Sequence, residues 1–83
     1  MHELAIAESL VDRVVERTVG RRVVAVTVRI GDAAGVVADA LAFSFDVVTV
    51  DTPIAGARLV VEEVAGDDLS LVSVELVREE SCA

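Results

Sequence analysis

The residues of this chain best equipped to do chemistry are the first three, Met1-His2-Glu3. A His in second position lets the terminal amine, a backbone amide and the imidazole close small chelate rings on one metal ion. Ni(II) with strong nitrogen donors favours such a square-planar set, and the Glu3 amide nitrogen or its carboxylate can fill the fourth place. Cu(II) takes the same geometry at least as well, so the motif alone carries no selectivity. The imidazole must be neutral to ligate, so affinity is expected to fall below about pH 6.5. The same three residues also make an ordinary polar first turn, where a Glu complements the helix dipole.

The other reactive groups offer less. Asp67-Asp68 reads as a solvated turn. Cys82, the only cysteine, has no basic neighbour to activate it. The serines have only His2 to serve as base, and no lysine or phosphate loop exists around Gly31 and Gly35. Enzymatic activity is not expected.

Positioning such a terminus requires a core, and 83 residues can form only one domain, spanning 1–83. A single Cys excludes an internal disulfide, so folding must rest on the 54% apolar fraction. That fraction is rich in valine, with two Phe and no Trp or Tyr, and suits a sheet with helices upon it. A net charge of −8 argues against nucleic-acid and anionic-membrane partners. Charges throughout the first twenty residues exclude a signal-peptide core, and no apolar run spans a bilayer. The expectation is a soluble cytoplasmic protein.

Residues 4–19 read as a helix whose inner face carries Leu4, Ile6, Ala7, Leu10, Val11, Val14 and Val15. Glu8, Asp12 and Glu16 form an acidic ladder outside, and Gly20 is the expected C-cap. Residues 23–30 alternate as a strand, with Val24, Val26, Val28 and Ile30 inward. A second helix is expected from about Val36 to Val50, with Val37, Leu41, Phe45 and Val48 inside and Phe43 and Val50 on the nominally polar side. Residues 57–64 and 69–78 read as strands, with Leu59 and Val61 inward in one and Val72, Val74 and Leu76 in the other, joined in a hairpin by Ala65-Gly66-Asp67-Asp68. The fold class is α+β: a two-layer α-β-α-β-β arrangement, three strands with both helices on one face.

Taken in order, these segments resemble the HypA/HybF family of hydrogenase nickel-incorporation proteins. The likeness lies in Met1 to Ile6, Glu8 to Val11, Val26 to Gly31, Leu41 to Thr49, Thr52-Pro53, Gly56 to Leu59 and Leu71 to Leu76. The resemblance implies a metallochaperone that passes Ni(II) to the large subunit of [NiFe]-hydrogenase, or toward urease, together with a HypB-like GTPase. It places the nickel site on His2, with Met1 and Glu3 contributing. It also implies an assisting acid near the start of the second helix, where Asp39 is the nearest.

The chain departs from the family in one large respect. Members carry two Cys-x-x-Cys pairs between the last two strands, forming a structural zinc domain, and here the short turn at 65–68 stands in their place. No structural zinc is therefore expected. The chain is either a natural zinc-less paralogue or a nickel domain from which that insertion has been deleted. A second functional reading follows: a metal-independent interaction or adaptor module derived from the family.

Overall fold

The computed structural model describes residues 2–77. Helix α1 (Glu3–Arg17) is followed by β1 (Val23–Gly31), α2 (Ala38–Val48), β2 (Arg58–Val64) and β3 (Leu69–Leu76). The α+β class and the element order are those read from the sequence. The three strands form one mixed sheet in the order β2-β1-β3. Both helices pack on one face of it, and against each other.

The core explains the layering. Ala7, Leu10, Val11 and Val14 of α1 meet Leu41 and Phe45 of α2 over Val26, Val28 and Ile30 of β1. Phe45, Leu41, Val14 and Val26 are fully buried, and so is Ile54, in the loop after α2. That loop keeps its polar groups bonded as it crosses the core edge: the Thr49 hydroxyl donates to the Asp46 carbonyl and the Thr52 hydroxyl to the Thr49 carbonyl. The buried Thr18 hydroxyl at the end of α1 donates to the Val14 carbonyl at 2.7 Å. Among the described residues, no buried side-chain polar atom lacks a partner.

The expected hairpin does not form. β2 pairs parallel with β1, from Ala25 opposite Arg58 to Gly31 opposite Val64. β3 pairs antiparallel with the other edge of β1. The strand richest in buried side chains, β1, thus takes the centre, where both its edges are bonded and one face lies under the helices. Residues 65–68 therefore bridge two strand spacings, about 9.6 Å, over the end of β1. The Gly31 amide donates to the Asp68 carbonyl, Asp32 to Val64 and Ala33 to Gly66, at 2.7–2.8 Å. The Asp32 carboxylate closes the crossing by accepting the Gly66 amide at 3.0 Å. A Cβ on Gly31 would collide with the Gly66 carbonyl, so glycine is required there.

Smaller corrections have local causes. Val24 and Val72 are 40% and 39% exposed, because the β1–β3 register slips between Val23 and Ala25 and again between Thr27 and Val28, where Val72 is passed over, turning both out of the inward rows. Leu4 is 53% exposed in the first turn of α1 rather than inward. Helix α2 is shorter than expected: Val37 is extended (φ −89°, ψ 117°) and serves as its N-cap, exposed rather than inward. Likewise α1 stops at Arg17 with Thr18 as its cap, and Gly20 follows in the turn beyond. β3 ends at Leu76 rather than residue 78.

Candidate metal centre at the N-terminus

His2 immediately precedes α1 and is exposed. Its carbonyl accepts the Ile6 amide at 2.9 Å, closing the first helical turn, while its imidazole makes no capping bond. The imidazole is therefore not committed to holding the helix. Met1 lies outside the described residues, as does Cys82.

Glu3 opens α1, and its carboxylate has a structural task. The Val37 amide, 34 residues further along, donates to Glu3 Oε2 at 2.9 Å. Val37 is the N-cap of α2, so Glu3 supplies from another element the acceptor for the N-cap amide that the third helical residue provides in a capping box. The Glu3 carboxyl is held down to about 2 first by hydrogen bonding from the chain's terminal ammonium, then by the Val37 amide and its own amide. No intrahelical carbonyl claims the Glu3 amide, since the helical ladder starts with Ile6 bonded to His2. Displacing that amide proton would cost its bond to the Glu3 carboxylate but no helical hydrogen bond.

The arrangement thus offers nitrogen donors at His2 and Glu3 at the head of a helix that is itself tied to α2. Asp39 lies exposed in the first turn of α2, two residues beyond the amide that holds Glu3. Among the described residues, no three His, Cys, Asp or Glu side chains converge on a metal position. A centre here must draw on backbone nitrogen. Asp67 and Asp68 sit apart in the β2–β3 crossing, where Asp68 accepts the Ser70 hydroxyl at 3.3 Å.

A concavity of about 260 Å³ lies between α1 and the sheet, lined by Ile6, Leu10, Val28, Leu41 and Leu71 with Arg13 at its side. Ser9 and Ser70 also line it, and the Ser70 hydroxyl donates to the Asp68 carboxylate, but no His is among the lining residues to serve as a base. No helix among the described residues is long and apolar enough to cross a membrane.

Sequence reasoning missed the Val37 anchor, which is a tertiary contact of a backbone amide and leaves no residue signature. It also missed Ile54, which stands alone between Pro53 and Gly56 with no periodic neighbours to mark it.

Comparison with known proteins agrees with this frame. The family model described as "Hydrogenase/urease nickel incorporation, metallochaperone, hypA" matches residues 1–69. A hydrogenase maturation factor HypA from Geobacter metallireducens is 52% identical over 66 residues, covering 80% of this chain and 60% of that protein. One from Chloroflexus aurantiacus is 53% identical over 68 residues, covering 77% and 59%. The chain therefore spans about 60% of the length of these curated relatives. The solution structure of the Ni metallochaperone HypA from Helicobacter pylori superposes with a TM-score of 0.76 at 14% identity, over 95% of this chain and 100% of that one, and shows a shared fold. On the strength of the family match and these relatives, the chain belongs to the HypA family, a family of metallochaperones rather than enzymes.

Proposed function

We propose that this chain is a Ni(II)-binding metallochaperone domain for the maturation of [NiFe]-hydrogenase or urease, holding its metal at Met1, His2 and Glu3. The observation that carries the reading is a family match that begins at the Met-His-Glu terminus itself. Nickel is the cargo. The His2 imidazole and amide form one chelate ring, the Met1 amine a second, and the Glu3 amide completes the plane. Engagement of the Glu3 carboxylate with Val37 favours the amide over the carboxylate as the fourth donor. The partners that suit this role are a HypB-like GTPase and a hydrogenase large subunit.

Structural zinc has no part in the proposal, because a chain whose only cysteine is Cys82 lacks the thiolates for it. Within these 83 residues, the four at 65–68 stand where the family resemblance places the zinc-binding insertion. Calorimetric titration with Ni(II) tests the site. His2→Ala should weaken binding by at least about a hundredfold, since it removes the one imidazole. Binding that survives this change would place the metal elsewhere.

A second reading has its own observation. Phe43 and Val47 on α2 and Val50 in the turn after it stand exposed, as an adaptor surface would. Partner binding indifferent to nickel and to His2→Ala would favour this metal-independent reading. Loss of partner binding in both conditions would count against it.

A further inference from the structure

The outward side of α2 carries Phe43 and Val47, exposed at 71% and 52%, and Val50 follows in the turn beyond it at 62%. The spacing i, i+4 aligns Phe43 and Val47 along one stripe, which Val50 extends past the helix end. Isolated exposed apolar residues are ordinary, but a row along one helix and its following turn makes a patch. The stripe occupies the C-terminal half of α2, away from the Val37 end that holds Glu3.

Its charge surroundings are one-sided. Asp39, Asp46 and Asp51 are exposed beside it. From Ile30 to Ala57 the chain has four Asp and no Arg, Lys or His. Two copies meeting through this face would bring these aspartates together, on chains that each carry −8. An anionic membrane would be repelled for the same reason. The complement is a helix with apolar anchors on one side and Lys or Arg along the borders.

We propose that the α2 face is a docking surface for a positively charged amphipathic helix of a partner protein. It specifies the partner chemistry for the adaptor reading, on which it rests only for the existence of a partner. It holds equally in a chain that carries nickel.

The test uses a fluorescein-labelled Leu/Lys peptide of about eighteen residues, five helical turns, titrated by anisotropy against the full chain without metal. The control is the same composition reordered so that leucines surround the helix. Binding should require the amphipathic order. It should weaken at least about tenfold in Phe43→Ser and in Val47→Ser, as for central interface anchors. Asp46→Asn should weaken it about two- to fivefold, an effect that shrinks with added salt. Both serine variants should keep the parent's unfolding midpoint, since these side chains are already exposed. Equal binding of the reordered peptide would overturn the proposal, as would unchanged affinity in both serine variants. A dimer in sedimentation that Phe43→Ser dissolves would instead assign the face to a second copy. His2→Ala should leave peptide binding intact even where nickel binding is lost, which separates failure of this inference from failure of the metal reading.

Discussion

The two helices share a core and a face of the sheet, yet present opposite surfaces to the outside. α1 turns out Glu8, Asp12, Arg13, Glu16 and Arg17, all exposed and charged. α2 turns out Phe43 and Val47 among aspartates. A charged outer face needs only water, so in the proposed reading α1 contributes to function at its end, where His2 and Glu3 sit. α2 anchors that end through the Val37 amide and keeps an apolar flank of its own. The difference separates a helix that presents a terminus from one that presents a side.

The sharpest way to break this contrast is to change two residues that lie one helical half-turn apart on α2. Phe45→Ala should cost about 3–5 kcal/mol, because a fully buried ring leaves a cavity among Leu41, Val14 and Val26. Phe43→Ala should stay within about 0.5 kcal/mol. Urea denaturation of both variants measures the pair, and comparable losses would show that the outer face of α2 is not free.

Next in size is Gly31→Ala, which should cost about 1–3 kcal/mol by forcing a methyl against the Gly66 carbonyl. A hairpin of β2 with β3 would leave that position open and the change nearly silent. The same denaturation experiment therefore tests the crossing over β1.

The smallest effect belongs to the Glu3 carboxylate, held first by the terminal ammonium and then by the Val37 amide. The Glu3 pKa is lowered from 4.5 to about 2, so its stabilising contribution is present above about pH 4.5 and is lost as pH falls toward 2. Glu3→Gln keeps an acceptor for Val37 without the charge. The stability gap between parent and Glu3→Gln should be open at pH 7 and narrow by pH 3. A gap that widened on acidification would contradict the assignment.

Much of this was legible from residue order, for identifiable reasons. The 3.6-residue spacing of Ala7, Leu10, Val11 and Val14 marked the buried side of α1, and Leu41 with Phe45 marked that of α2. Period two in Val26, Val28 and Ile30 marked the sheet face. Strand order was hidden, because Ala65-Gly66-Asp67-Asp68 has the composition of a tight turn but the length to cross β1. Only the competition of both edge strands for β1 decides between the two. The register slips at Val24 and Val72 were hidden for a similar reason, since a bulge is set by the partner strand. At the site, Met1-His2-Glu3 was visible as a donor set, whereas the Glu3–Val37 bond joins residues whose proximity only the packed helices create.

The central claim is that the metal sits on the terminus itself. Its most direct test is to titrate Ni(II) into the chain with a free Met1 amine, and into the same chain with one glycine added before Met1, following the visible absorption of square-planar nickel. The account predicts that the native terminus saturates at about one Ni(II) per chain with that band. The single added residue should abolish the band by moving the amine out of chelating range of His2. An unchanged band and stoichiometry in the extended chain would contradict it.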